Sequence, residues 1–292
     1  MRRIRRESGS GSIAGFSRPC ATEVAPTRSA AACAGFTLIE MIVVMTITGI
    51  LVAIVAVFIR RPMEGLIDTT RRVALADAAD TALRRMARDL RSAVPNSVRV
   101  AQNGSNWYIE FLPVLAAGRY CSESDCGTPL DTVAGNSALS FAGPAPVLSP
   151  IPTGTEVVIY NLGVTGLDAY SGSNSVGLAS IGASSLTFSA NKVFAYASPG
   201  KRFQIFGRPV SYVCAPGGNL SRLAGYTKQA SQPTSTPGGA STAILASDVA
   251  SCSVDYQQSA IDQNGLLYLT LQLARSGETV TLSHAIQINN TP

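Results

Sequence analysis

A chain of 292 residues, 46% hydrophobic and only 14% charged, is long enough to bury a large core in one or two domains, which excludes generic disorder and a collagen-like repeat. The formal charge is +5, but the first 35 residues hold six Arg against Glu7 and Glu23 and supply +4 of it. The remaining chain is close to neutral, which argues against a body built for phosphate backbones and matches the basic cytoplasmic flank of a membrane segment.

In chain order, the basic leader comes first, and its stretches "ESGSGSIAG" and "TEVAPTRSAAACAG" read as unstructured. An apolar run follows from Phe36 to Ile59, roughly 36 Å of helix at about 1.5 Å per residue, enough to cross a hydrocarbon core of about 30 Å with some tilt. Thr37, Thr46 and Thr48 can bond back to helix carbonyls and Gly49 allows a close neighbour. Glu40 is the expensive residue, a carboxylate four residues into the run. An ordinary signal anchor or a cleaved signal peptide is the plainer reading of such a run. Bulky Phe58 and Ile59 followed by Arg60 and Arg61 argue against signal-peptide cleavage at its far end, so the run is retained.

Pro62 and Gly65 predict a bend or loosening of the helix. Val73, Ala76, Ala79, Leu83, Met86, Leu90 and Val94 then recur at spacings of three and four, an amphipathic stripe that Pro95 ends. The opposite face carries Arg71, Arg72, Arg84, Arg85, Arg88 and Arg91 among Asp68, Asp77, Asp80 and Asp89. Asp68 with Arg72 and Asp80 with Arg84 have the favourable acid-first spacing of four. No aromatic residues interleave with these arginines, so a solvated or packing face is favoured over nucleic-acid binding.

After Pro95 the pattern turns to strands. "SVRVAQNGSNWYIEFLPV" predicts a hairpin around Asn103-Gly104, and "TEVVIYNL", "SSLTFS", "KRFQIFGRPVSYVC", "GLLYLTLQLAR" and "ETVTLSHAIQIN" predict further strands, the last two joined through Ser276-Gly277. Ala134 to Thr155 and Asn161 to Ser180 read as long turn-rich insertions. The low-complexity stretch Thr227 to Ala243 is expected to be mobile.

Cys20 and Cys33 fall in the leader, leaving Cys121, Cys126, Cys214 and Cys252. Four cysteines allow three pairings, but "CSESDC" can close a tight loop between Cys121 and Cys126, which leaves Cys214 for Cys252. The longer bridge would contribute about 3 to 4 kcal/mol in the chain-entropy model and implies an oxidising compartment. A zinc site has little to draw on, with one His and no Cys-x-x-Cys, and Asp125 and Asp131 lack calcium-loop spacing. No GxSxG, HExxH or phosphate loop appears, and His284 sits in an alternating strand pattern, so no enzyme activity, cofactor, metal or small-molecule substrate is expected.

Gly35, Phe36, Thr37, Leu38, Ile39 and Glu40, directly between a basic leader and an apolar helix, resemble the processing site of type IV pilins and type II secretion pseudopilins. The resemblance implies cleavage between Gly35 and Phe36 by a prepilin peptidase, N-methylation of Phe36, and pairing of Glu40 with the N-terminal amine of a neighbouring subunit during assembly. The plainer alternative for Glu40 is a carboxylate snorkelling to the cytoplasmic headgroups. The leader is longer than is usual in that family, which an upstream start codon chosen in error would explain.

"DTTRRVALADAADTALRRMARDLRSAVPNSVRV", "AGRYCSESDCGTPLD", "VVIYNLGVTGLDAY" and "RFQIFGRPVSYVC" resemble stretches of the minor pilins of MSHA-type pilus biogenesis, related to PilW and the J-type pseudopilins. The Cys pair in "CSESDC" departs from that pattern and reads as local to this protein. The implied fold is α+β and pilin-like, a long N-terminal helix packed on an antiparallel β-sheet domain. Its parts are a leader (1–35), a membrane-spanning half-helix (36–59), an amphipathic periplasmic half-helix (60–94) and a periplasmic β-rich domain (95–292). The implied role is to prime or cap pilus assembly. Partners would be the peptidase, major and minor pilins, the inner-membrane assembly platform and inner-membrane lipid. A pilus-tip adhesin or DNA receptor, a J-type secretion pseudopilin and an uncleaved signal anchor are the competing readings.

Overall fold

The computed structural model describes residues 35–121, 126–258 and 264–292, with the backbone alone at positions 60–64 and 258. The leader through residue 34, with Cys20 and Cys33, and also Asp125, lie outside the described residues. Helix α1 runs Leu38–Arg91, 54 residues. It begins two residues later than Phe36 and ends three before Val94, and its helical backbone is unbroken across Pro62 and Gly65. The chain divides into two compact units between Ile59 and Arg60.

In the first unit, Leu38–Ile59 is a 22-residue helical segment with mean hydropathy 3.0 and no buried residue. Its large apolar side chains are exposed, Phe58 at 80%. That length and apolarity suit a bilayer.

In the second unit, β1 (Arg99–Asn103) and β2 (Asn106–Phe111) form the hairpin that Asn103-Gly104 predicts. Gly104, at φ 61°, makes the turn in a conformation that favours glycine. The chain then leaves this sheet to build a closed barrel from β3 (Val114–Tyr120), β4 (Asn136–Ala142), β5 (Glu156–Val158), β6 (Ser175–Ile181), β7 (Ser185–Lys192) and β8 (Arg202–Phe206), in the order β3-β4-β7-β6-β5-β8. It returns as β9 (Val210–Cys214), which pairs with β2 from Trp107↔Cys214 to Phe111↔Val210. The barrel is thus inserted between two neighbouring strands. Its exit and re-entry lie side by side, with the Gly207 amide donating to the Pro113 carbonyl at 3.1 Å.

Strands β10 (Leu220–Ala224) and β11 (Ser241–Ala246) complete a five-stranded sheet ordered β1-β2-β9-β10-β11. The long strands β12 (Val249–Gln258), β13 (Asn264–Arg275) and β14 (Glu278–Asn289) form a three-stranded antiparallel sheet. Ser276 and Gly277, at φ 52° and 89°, link β13 to β14 as a two-residue turn of the hairpin-favouring kind.

One core joins the C-terminal part of α1 to both sheets: Leu75, Ala79, Leu83, Met86 and Leu90 cluster with Ile109, Phe111 and Tyr212 on one side and Leu267, Leu269, Leu271 and Ile286 on the other. Leu75 replaces Val73 in the expected stripe, since Val73 is 63% exposed. A second core fills the barrel with Leu139, Phe141, Val157, Leu186, Phe188, Phe194, Phe203 and Ile205. Beyond the helix end, Asn96 at φ 58° breaks the helical path, and its amide donates to the Oδ1 of Asn290 near the C-terminus.

Three expectations for the body need correction. The presumed insertion from Ala134 to Thr155 contains β4, and that from Asn161 to Ser180 contains most of β6, so the β-rich region is a sheet pair with an inserted barrel rather than a sheet with large loops. Asp68 pairs with Arg71 at 3.6 Å, not Arg72, which instead reaches Glu278 at 3.6 Å. Thr227 to Ala243 is not a loose excursion. Arg99 donates to the carbonyls of Gln229 and Ala230, Asn103 to that of Thr234, and Gln232 donates to the carbonyls of Arg99 and Tyr108. Its last residues belong to β11.

Candidate functional site

The N-terminal segment reads as a helix start built from local chemistry. Gly35, Phe36 and Thr37 are non-helical, and Thr37 takes the N-cap position. Its Oγ1 accepts the Glu40 amide at 3.3 Å and its carbonyl accepts the Met41 amide at 3.2 Å. Thr37-x-x-Glu40 has the spacing of a capping box, in which the hydroxyl of the cap and the carboxylate three residues on serve the free amides of the first turn. Glu40 lies in that first turn, where the positive end of the helix dipole favours an anion. The T-x-x-E spacing that marks Thr37 as a cap is present in the sequence, beside its capacity to back-bond to a helix carbonyl.

The Gly35–Phe36 peptide bond lies directly before this cap. Among the described residues, and leaving aside its chain neighbours, no atom stands within 4 Å of where a Gly35 Cβ would be, and Phe36 is 71% exposed. A protease requires such an unhindered, non-helical bond, because a helical one must first unwind. From Leu38 to Ile59, Glu40 is the one ionisable side chain.

In the body, the cysteines are joined as Cys121–Cys126 and Cys214–Cys252, with Cα separations of 5.9 and 6.5 Å. The first closes a short loop beside the barrel strand β3. The second ties β9 of the five-stranded sheet to β12 of the three-stranded sheet. Asp131 uses Oδ1 to accept the amides of Val133 and Ala134, so it serves its own turn. His284 is half-buried on β14.

The strongest electrostatic feature is a buried polar cluster beneath the Thr227 to Ala243 segment. Glu110 on β2 is fully buried, and its carboxylate accepts from Arg99 Nε at 2.5 Å and from Tyr226 Oη at 2.8 Å. Burial pushes its pKa up, and the Arg99 guanidinium and the Tyr226 hydroxyl oppose that rise. Arg99 also stacks over the Tyr170 ring at 3.6 Å, and burial pushes the Tyr170 phenol well up. Beside the barrel, the Lys228 ammonium pairs with Glu156 at 2.5 Å and donates to the Ala169 carbonyl at 2.7 Å. Both arrangements have their polar groups matched to one another, which suits fixing a segment in place rather than activating a group for chemistry.

A model of the prokaryotic N-terminal methylation motif matches residues 31–56. This stretch is therefore similar to the signal of type IV pilin-like proteins, and with one candidate membrane span among the described residues it fits a single-pass membrane-anchored protein. No curated protein and no solved structure matches the chain.

Proposed function

We propose that the protein is a minor type IV pilin of the MSHA biogenesis kind, most like MshO, which primes or caps pilus assembly from the inner membrane. A prepilin peptidase cleaves between Gly35 and Phe36 on the cytoplasmic side, and the new Phe36 amine is methylated. The apolar half of the helix stays in the membrane, and residues 60–292 stand in the periplasm, where the disulfides form. Glu40 then pairs with the N-terminal amine of an adjacent pilin, which offsets the desolvation of a carboxylate in hydrocarbon.

One observation carries this reading: the motif match over residues 31–56 falls on an accessible, non-helical Gly35–Phe36 bond followed at once by a capped apolar helix whose one ionisable group is Glu40. The MSHA assignment is supported by the resemblance of the body stretches quoted above. The competing roles, a tip adhesin or DNA receptor and a J-type secretion pseudopilin, share the same processing.

The test is N-terminal sequencing and intact mass of the membrane-extracted protein. The reading expects a chain that starts at methylated Phe36. A chain that retains its leader, or starts elsewhere, overturns it. Loss of piliation in a Glu40→Ala strain supports assembly. Normal pili with lost surface attachment would favour the adhesin.

A further inference from the structure

The edges of the two open sheets are treated differently. At β1 the main chain is covered, because Gln232 donates to the Arg99 carbonyl. At β12 the register shifts between Val249 and Ser251, which bends that edge. Strand β14 has neither device. It pairs with β13 in unbroken register from Arg275↔Glu278 to Asn264↔Asn289, and among the described residues its other side has no strand partner. Its twelve residues include no Pro, Lys or Arg, and its one charged side chain, Glu278, stands at the first position of the strand. A long, regular and unprotected edge is a template for another strand.

The surface beside this edge carries net positive charge. An open groove of about 560 Å3 lies between α1 and β14, lined by Asp80, Arg84, Ala87, Arg88, Arg91 and His284. Arg84 holds Asp80 at 2.6 Å. Arg88 and Arg91 are exposed and have no carboxylate partner among the described residues. Side chains of β14 alternate, with Val280 and Leu282 packed on the core, Ile286 and Ile288 buried, and Thr279, Thr281, Ser283, Ala285 and Gln287 exposed. A strand added beside β14 would alternate in the same way and turn every second side chain toward the groove.

From this we infer that β14 and the groove form a docking site for an extended acidic segment of a partner protein. The segment adds to the three-stranded sheet through main-chain hydrogen bonds, and its alternate Asp or Glu side chains meet Arg88 and Arg91. The edge supplies affinity for any extended chain, and the arginines select an acidic one. The site lies wholly within residues 60–292 and does not depend on cleavage at Gly35.

The test uses the full-length protein in neutral detergent and a fluorescent peptide, Thr-Glu-Val-Glu-Val-Glu-Val-Thr, with capped ends. Fluorescence anisotropy gives affinity, and hydrogen–deuterium exchange reports residues 278–289. The expected result is binding that slows exchange in that segment, weakens about tenfold or more when alternate peptide nitrogens are methylated, and weakens similarly in Arg88→Glu/Arg91→Glu. Arg88→Lys/Arg91→Lys should keep most of it. The proposal fails if the peptide does not bind, if the N-methylated peptide binds equally, or if exchange in 278–289 is unchanged. It fails equally if a DNA duplex or anionic vesicles occupy the arginines and acidic peptide cannot displace them.

Discussion

Replacing Arg99 by Met tests whether the buried cluster locks the Thr227 to Ala243 segment onto the sheet. Met keeps much of the apolar stem but removes the guanidinium. In the native protein that group binds Glu110, the carbonyls of Gln229 and Ala230, and the face of Tyr170. The change leaves Glu110 fully buried with only Tyr226 as donor. Breaking a buried ion pair from one side costs about 3–5 kcal/mol when the remaining carboxylate is charged. Burial already raises the Glu110 pKa above its ordinary 4.5, and Arg99, with a smaller contribution from Tyr226, holds the rise back. In the variant it rises further. A carboxyl with a raised folded pKa contributes stability that is present below the unfolded value and lost as pH climbs through the folded one. The destabilisation should therefore be largest near neutral pH. Around pH 4.5 a protonated Glu110 no longer demands a cation, and what remains is the loss of two neutral-acceptor hydrogen bonds, roughly 1–2 kcal/mol. Trp107, the only Trp, lies on β2, the strand that carries Glu110, and packs on the core face of the sheet, so urea titrations followed by its fluorescence report the relevant sheet. A loss below about 1 kcal/mol at neutral pH, or an equal loss at both pH values, would refute the argument.

Three further outcomes follow from the same physics. Cys214→Ser with Cys252→Ser opens a bridge of sequence separation 38 and should lower stability by about 3.9 kcal/mol in the chain-entropy model, whereas opening the separation of 5 at Cys121–Cys126 should cost about 2 kcal/mol, both read by denaturant midpoints without reductant. Gly118 faces the Phe203 ring so closely that an added Cβ would stand 2.6 Å from Cζ; Gly118→Ala should destabilise by about 1–3 kcal/mol, and Phe203→Leu in the same chain should recover part of it in thermal melts. Thr37→Ala removes the cap and keeps the carboxylate, while Glu40→Gln keeps capping capacity and removes the charge. If pairing with a partner's amine is the function of Glu40, quantified surface pili should fall at least about tenfold in Glu40→Gln and by much less in Thr37→Ala.

How much was legible in advance depended on how local the governing physics is. The membrane run, the Asn103-Gly104 and Ser276-Gly277 hairpins and the helical stripe are decided by neighbours a few residues apart, and their signals lie in the chain. The stripe slipped only at its start, where Leu75 faces the sheets and Val73 faces away. The barrel was not legible. Strands β4 and β6, "NSALSFA" and "SVGLASI", are rich in Ser, Gly and Ala and flanked by turn residues, so they read as loop. They become strands because β7 pairs with both and the barrel closes around Leu186 and Phe188. The Thr227 to Ala243 segment failed for the converse reason. Its composition is that of a mobile linker, but its carbonyls are fixed by Arg99 and Asn103, more than 120 residues earlier.

The same distinction explains why the two ends of the molecule speak so differently about function. Recognition of a processing signal acts on a short linear stretch, so such a signal carries its meaning in sequence, and the N-terminal methylation motif is matched over residues 31–56. A sheet edge is different. Its hydrogen-bonding groups belong to the backbone, and any alternating strand offers them equally. What marks β14 is the absence of blunting residues along it together with the placement beside it of Arg88 and Arg91, which lie nearly 200 residues away in the chain and face it only after folding. Such a surface can change partners through a few charge substitutions on α1 while the strand and the core behind it stay the same. That is the arrangement expected of a subunit whose anchor follows a common rule and whose body must distinguish one neighbour from another.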